Sequence, residues 1–432
     1  MLPPEAAEPS PLDHALAAIH RRRPVTLIHG RDELARSELK QQLTSSDLNC
    51  VLLAPSTLAA LNAGAQTVHS FFGLEPTFVR LDRIAPNSRL RTLASHADCI
   101  VIDDAPTLRA DLLDAIDQSL RLAREQDAPF GGLPLLLLGD FLQLPPILTK
   151  PDTILLQQLG YESHAPFAAK SLHGLVAKII RLHDHRKIDP ELVGSLRKLR
   201  LNEDLDEVVA LLNYRCYRNH RRSHDPLLLT TRLDTVDELQ QRAIAKLRGP
   251  TQTYRAILTG TLAAKPNPRL PAPEQLELKP GSRVMAVKAD PAQRWRRGSL
   301  GTVKRLEPDS VLVRFDHSNS TQPVEAATWQ SVKHQSNPSP SRIESRVVGS
   351  YTQIPLIPAY ATTIQKAQGL CISDIRIDPG TAAFSNALGY IAFATAESLD
   401  GVSLTRPLMA WDVRIHPRFI EGFEEMLERL TR

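Results

Sequence analysis

Two places in this 432-residue chain carry side chains able to do phosphate chemistry. The first is Val25–Leu39, VTLIHGRDELARSEL, an apolar run broken at Gly30 and followed by residues of helical character. A strand, a glycine turn and a helix N-terminus in that order can cradle phosphate, because backbone N–H groups and the helix dipole face the anion. Against the pattern G-x-x-x-x-G-K-[ST], Gly30 takes the first position and Ser37 the last, while Ala35 replaces the second glycine and Arg36 the lysine. Asp32 and Glu33 place two carboxylates in the same turn, where they repel a polyphosphate. Taken alone, the stretch fits an ordinary strand, turn and helix at least as well as a nucleotide site. The second place is Asp103–Asp104, which ends the apolar run from Asp98 to Ile102. A carboxylate pair at the C-terminal end of a buried strand lies where α/β sheets bind ligands, and an aspartate there can hold Mg2+ through water. A helix N-cap is the plainer reading of the same pair.

Positioning these groups takes a sheet. Apolar residues at helical spacing over 12–23 predict a helix ahead of the first strand, and residues 49–54, 98–102 and 133–139 read as further strands. Strands alternating with helices predict an α/β chain built on a parallel, doubly wound sheet. Between the second and third strands, Ala54–Leu74 enters a helix at Ser56 or Thr57 and leaves it near Gly64. Its mix of Thr57, His69 and the pair Phe71–Phe72 suits gripping a nucleic-acid backbone and offering ring faces to bases. For two adjacent phenylalanines a core cluster is the competing reading. Further on, Tyr214 and Tyr217 are interleaved with Arg215, Arg218, Arg221 and Arg222, which fits either single strands or a solvated charge run.

Bulk properties narrow the classes. At this length the chain needs two or three domains. A hydrophobic content of 42% and a charged content of 23% are those of a globular protein, and no apolar run approaches a membrane span of about 20 residues. The acidic, proline-rich start MLPPEAAEPS does not read as a secretory signal, so the expected compartment is the cytoplasm, with no membrane partner. Cys50, Cys99, Cys216 and Cys371 lack C-x-x-C spacing and read as buried free thiols. A net charge of +4 permits nucleic-acid binding without arguing for it. The proline-rich run 262–275 marks a domain edge, and Leu276–Asp316 shows short alternating strands that read as a small β-barrel.

Three stretches, VLLAPSTLAALNAGAQTVHSFFGL, CIVIDDAPTLRADLLDAID and PFGGLPLLLLGDFLQLPPI, resemble in order and spacing three consecutive motifs of the Pif-type DNA helicases, the branch of helicase superfamily 1 that also holds RecD. In that family the first contacts single-stranded DNA, the second binds Mg2+ and activates water, and the third couples γ-phosphate to DNA. Residues 180–200 resemble the segment in which an arginine reaches the γ-phosphate, and Arg186 occupies that place. Residues 355–370 resemble the motif T-I-H-K-S-Q-G, keeping Thr363, Ile364, Lys366, Gln368 and Gly369 but carrying Gln365 and Ala367 for histidine and serine. The last motif appears as YIAFATAESLDG, with Thr395 at the arginine-finger position and Glu397 for a second arginine. The family's adenine-reading glutamine has no counterpart, since no glutamine precedes Gln41.

The resemblance implies two RecA-like motor domains with an SH3-like β-barrel insertion: 1–165 as the first motor, 166–262 and 345–432 as the two parts of the second with a C-terminal helix, and 263–344 as linker and barrel. It implies ATP and Mg2+ as cofactors, with Asp103, Asp104, Gln143 and Arg186 catalytic, Gly30, Arg36 and Ser37 on the nucleotide, and Ser37 and Asp103 on the metal. It assigns DNA contacts to Thr57, His69, Phe71, Phe72, Thr363, Lys366 and Gln368. The departures at Ala35, Arg36, Asp104 and Thr395 make ATP binding doubtful and predict a homologue with impaired or lost ATPase. Such a chain would still bind single-stranded or junction DNA in repair, recombination or replication. An active 5′-to-3′ helicase and a scaffold for a protein partner remain alternatives. Pairing of Asp32 or Glu33 with Arg36 or Arg186 would lock the cleft.

Overall fold

The computed structural model describes residues 9–30, 33–75, 78–141, 148, 150–182, 189–218, 226–264, 269–338, 341–380 and 388–415. It divides into two compact units. One comprises the described residues of Met1–Arg186 and Ser331–Val348, the other those of Lys187–Gln330 and Gly349–Ile420.

The first unit is built on six strands, β1 (Val25–His29), β2 (Cys50–Ala54), β3 (Gln66–Thr67), β4 (Cys99–Ile102), β5 (Leu135–Gly139) and β6 (Lys178–Arg181), in the order β3-β2-β4-β5-β1-β6. Every pairing among them is parallel. A parallel sheet is buried on both faces, and so β4 and β5 are apolar and buried throughout. Helix α1 (Pro11–His20) starts at a capping box in which the Ser10 hydroxyl accepts from Asp13 N–H and the Asp13 carboxylate accepts from Ser10 N–H. Helix α2 (Glu33–Thr44) follows the glycine turn and buries Leu39 and Leu43 against the sheet. Next come α3 (Thr57–Ala63), α4 (Val68–Phe72), α5 (Ser88–His96) and α6 (Ala110–Arg124).

The sheet corrects the expected boundary at 165. β6 pairs with β1 in the register Thr26↔Lys178, so the first unit runs past residue 166. The register Cys50↔Cys99 also brings two cysteines that are far apart in sequence to 3.1 Å between sulfurs, both free thiols.

In the second unit a four-stranded parallel sheet joins β7 (Leu227–Thr230) to three strands that come later in the chain. The chain leaves this sheet through β8 (Gln252–Arg255), β9 (Ile257–Thr259), β10 (Gln275–Leu278), β11 (Arg283–Ala286), β12 (Leu300–Leu306), β13 (Ser310–Phe315) and β14 (Thr321–Glu325). It returns through the long β15 (Ala327–Pro338) and β16 (Ser341–Gln353), then β17 (Leu356–Pro358). Strands β11 to β14 and β17 form an antiparallel sheet of order β14-β13-β12-β11-β17. Its core of Val303, Val311, Val313 and Phe315 is shared with Leu276 and Leu278 of β10, which matches the short alternating strands read from the sequence. The sheet takes β17 from beyond residue 345. The distal parts of β15 and β16, Ser331–Val348, belong instead to the first unit, a second correction to the expected insertion at 263–344. The parallel sheet is completed by β18 (Ala361–Thr363), β19 (Ile375–Ile377) and β20 (Val402–Leu404). Residues 416–432, at the end of the segment expected to carry a C-terminal helix, lie outside the described residues. Among the described residues no helix is long and apolar enough to cross a membrane.

Candidate nucleotide cleft and single-strand segment

The glycine turn leaves the C-terminal end of β1. Gly30 N–H donates to the Gly139 carbonyl at 3.2 Å, tying the turn to the end of β5, and a Cβ at Gly30 would meet Leu182 at 2.7 Å. Arg36 does not reach outward as a phosphate-binding lysine would. Its Nη1 donates back to the Gly30 carbonyl at 2.6 Å, and its Nε lies 3.9 Å from Asp103 Oδ1. Lys40, one helical turn beyond Arg36 on α2, donates through Nζ to Asp103 Oδ2. All three side chains are largely buried, at 15%, 10% and 13% exposure for Arg36, Lys40 and Asp103. Burial alone would push the Asp103 carboxyl up. The Lys40 and Arg36 charges and the hydrogen bond from Lys40 outweigh it and hold the group below the usual carboxylate range.

These residues fit a divalent cation poorly. Mg2+ demands near-octahedral oxygen ligands at about 2.0–2.1 Å. Here each oxygen of Asp103 already faces a cationic nitrogen. Two unit charges about 4 Å apart interact by about 4 kcal/mol at an effective dielectric of 20, so a divalent ion against the Lys40 ammonium meets about twice that in repulsion. Ser37, the other expected ligand, is exposed and lines a crevice of about 450 Å3 with Lys40, Asn62, His334, Arg342 and Ser345. Among the described residues no group of three metal-capable side chains occurs. Asp104 follows in a left-handed conformation, φ 56°, and the Thr107 hydroxyl donates to its carbonyl at 2.8 Å. Gln143, Arg186 and Asp32 lie outside the described residues. Lys40 was missed in the sequence reading, although its spacing from Arg36 was the available signal.

The segment after β2 has a different construction. The Ser56 hydroxyl caps α3 by accepting from Ala59 N–H at 3.1 Å, and Gly64 ends it at φ 64°. Thr57 is therefore the first helical residue rather than the cap, and is half-buried. The Thr67 hydroxyl caps α4, which ends at Gly73, φ 72°. Phe71 and Phe72 are 1% and 5% exposed and pack edge to face at 4.9 Å. Core packing therefore takes the two rings that the sequence reading offered to bases, and this corrects that assignment. His69 is half-buried; burial, then the nearby Arg109 charge, lowers its basicity.

The distal hairpin of β15 and β16 closes over this segment. His334 is 3% exposed; its Nε2 donates to the Leu52 carbonyl at 2.9 Å and its Nδ1 lies 3.1 Å from the Ser345 hydroxyl. Its backbone N–H donates to Gln66 Oε1 at 2.8 Å, and Arg89 Nη2 donates to its carbonyl at 2.8 Å. The imidazole and the Phe71 ring lie edge to face with centroids 6.1 Å apart. Burial, ahead of the Arg89 charge, pushes the His334 pKa down.

In the second unit Thr363 ends β18 and caps the short helix Ile364–Ala367, leaving Lys366 exposed and Gln368 half-buried. Thr395, at the arginine-finger position, is 1% exposed, and its hydroxyl donates to Ala392 at 2.7 Å; Glu397 is exposed. Arg215 pairs with Glu191 and, at 2.8 Å, with Asp400, so its charge is already used within the unit.

Residues 33–160 match the family model described as PIF1-like helicase. The chain is 28% identical over 434 residues to the ATP-dependent DNA helicase PIF1 of Emericella nidulans, covering 87% of this chain and 56% of that protein. It thus spans a little over half the length of the curated relatives first matched. Unliganded Pif1 from Bacteroides sp aligns with a TM-score of 0.88 at 25% identity, covering 98% of each chain. Bacteroides Pif1 in complex with ADP-AlF3 and ssDNA aligns at 0.63, again at 25% identity and covering 98% of each chain. Matching motifs in the expected order, a parallel sheet whose strand ends carry them, and a likeness that runs through both units make this chain similar to the Pif1-type helicases in sequence and in fold.

Proposed function

We propose that this chain is a Pif1-type DNA helicase homologue that binds single-stranded DNA and turns over ATP weakly or not at all. The observation that carries the reading is the Arg36 guanidinium, bonded to the carbonyl of Gly30 in the turn where a triphosphate would lie. Phosphoryl transfer needs little covalent help from a protein; it is driven by positioning and by neutralising the charge on the transferred group. A donor held by its own turn does neither. The buried Thr395 adds to the loss, since an arginine finger is worth about 10³–10⁵ in rate in NTPases that use one.

The DNA side of the reading is supported by the relatives. Bacteroides Pif1 has been described in complex with single-stranded DNA, and the family model covers Thr57 and His69 along with Arg36, Lys40 and Asp103. Thr57 lies just after the C-terminal end of β2, where α/β sheets bind ligands, and Lys366 offers an exposed charge to phosphate. With both phenylalanines in the core, the contacts proposed here are to the backbone of the strand more than to its bases.

The test is ATP hydrolysis with and without saturating single-stranded DNA, beside an Arg36→Ala control and a filter-binding titration over a range of salt. Salt-sensitive DNA binding with no turnover above the control supports the reading. DNA-stimulated turnover that the control abolishes would establish a working helicase with a variant phosphate turn. Absence of any salt-sensitive affinity would remove the DNA-binding reading altogether.

A further inference from the structure

The cleft reading leaves one group unexplained, a lysine that no phosphate-turn pattern calls for. Lys40 is buried, in the middle of a helix whose neighbours Leu39 and Leu43 are core residues. Burying an ammonium is costly unless it is paired, and the partner is Asp103, the carboxylate expected to hold a divalent ion. The Asp103 backbone is held in the sheet by its N–H, which donates to the Leu53 carbonyl at 2.9 Å, so the base of the side chain is fixed opposite Lys40. Lys40 thus supplies, from within the chain, the positive charge that an ion would otherwise bring to Asp103.

We propose that Lys40 is a resident counter-cation that takes the place of the divalent metal at Asp103, so that this cleft neither needs nor accepts one. The geometry favours this over a fortuitous ion pair. Lys40 and Arg36 meet different oxygens of the same carboxylate, leaving neither oxygen facing only neutral groups. Ser37, which would complete a metal site, is exposed. A surface pair would be worth little and could be dispensed with, whereas a buried ammonium and carboxylate each need the other. The inference rests on the nucleotide cleft being silent, but it concerns the cation alone, and it would stand even if nucleotide entered the cleft without metal.

The experiment is a Mn2+ titration of the full chain without nucleotide, read as loss of the free-ion electron paramagnetic resonance signal. Melting curves in EDTA and in excess MgCl2 accompany it. The wild type is expected to show no Mn2+ site that Asp103→Asn removes, and the same melting temperature in both buffers. Lys40→Met, matched in length but uncharged, is expected to gain one Mn2+ site and a Mg2+-dependent rise in melting temperature, both abolished by adding Asp103→Asn. Lys40→Gln, which can still donate to the carboxylate, serves if circular dichroism shows Lys40→Met unfolded. An Asp103-dependent Mn2+ site in the wild type would overturn the proposal, and so would failure of a folded Lys40 variant to gain one. ATP turnover that survives EDTA would overturn the silent-cleft reading and leave this inference standing. An Asp103-dependent metal site in a protein without turnover would do the reverse.

Discussion

The ends of β1 and β4 and the ends of β2 and β3 lie along one sheet, yet the chain uses them in opposite ways. At β1 and β4 the charged side chains are spent within the chain: Arg36 on the Gly30 carbonyl, Lys40 on Asp103. At β2 and β3 the polar groups serve as helix caps, the rings are packed inside, and Thr57 and His69 keep partial exposure. One region has closed on its own charges while the other has kept its architecture. On the proposed reading, substitution has silenced phosphate chemistry at a few side chains without disturbing the backbone that presents a neighbouring site. Variants that separate stability from binding test whether the two regions are as different as they look.

The largest effect is expected at Phe71. Truncating a fully buried phenylalanine costs about 3–5 kcal/mol through lost transfer energy and the cavity left behind. Phe71→Ala should lower stability in urea by about that much, with any loss of DNA affinity following loss of the fold. If Phe71→Ala instead left stability unchanged and removed DNA binding, the rings would be ligand contacts and the contrast would fail.

Lys40→Ala comes next. Removing one partner of a buried ion pair costs about 3–5 kcal/mol because the other is stranded, and with Arg36 still 3.9 Å from Asp103 the cost should be about 3 kcal/mol. Adding Asp103→Asn should recover part of it, since the stranded charge is then gone. A double mutant no more stable than Lys40→Ala would mean that the two side chains are not coupled.

The parts of this arrangement that were legible in the sequence are those set by local pattern. Short apolar runs ending in Gly or Asp gave β1, β4 and β5 within two residues, and Ser56 and Gly64 bounded α3 as expected. Lys40 was legible in principle, since a residue four positions from Arg36 shares its helix face. The rest depended on distant partners. For Phe71 the sequence leaves the base platform open beside the more usual core cluster, and the core is settled only by burial that His334, brought in on a hairpin, helps to complete. The Leu52–His334 and Arg89–His334 bonds span 282 and 245 residues, and no local spacing encodes them. The place of β6 beside β1 likewise depends on a partner about 150 residues away, through the register Thr26↔Lys178.

A smaller effect should appear with pH, and it concerns the single-strand segment more than the cleft. His334 is buried with its basicity lowered, first by burial and then by Arg89, so the folded chain resists taking a proton that the unfolded chain accepts near the ordinary value of 6.5. Stability rises with pH wherever the unfolded state binds more protons, so the first unit should weaken as pH falls below about 6.5. One histidine contributes at most about 1.4 kcal/mol per pH unit. His69 and His164 are lowered by burial too and add to the slope. Replacing His334 by Gln should flatten the curve between neutral and mildly acid pH, whereas Asp103, held below the usual carboxylate range, should contribute its loss only at lower pH. A slope unchanged in His334→Gln would mean that the hairpin is not docked through a neutral imidazole.

The smallest effects separate the cap from the contact. Ser56 holds the α3 N-terminus through Ala59 N–H, so Ser56→Ala should cost about 1 kcal/mol of stability. Thr57 caps nothing, and Thr57→Ala should leave the melting temperature nearly unchanged. On the proposed DNA face the order reverses: Thr57→Ala should weaken single-strand binding several-fold at every salt concentration, because a hydroxyl displaces no counterion. Lys366→Ala, which removes an exposed charge in the second unit, should both weaken binding and reduce the salt slope by about 0.7. If Thr57→Ala and Ser56→Ala changed DNA affinity equally and in proportion to stability, α3 would act only as scaffold. The contact would then have to be sought at His69, the other partly exposed member of the same segment.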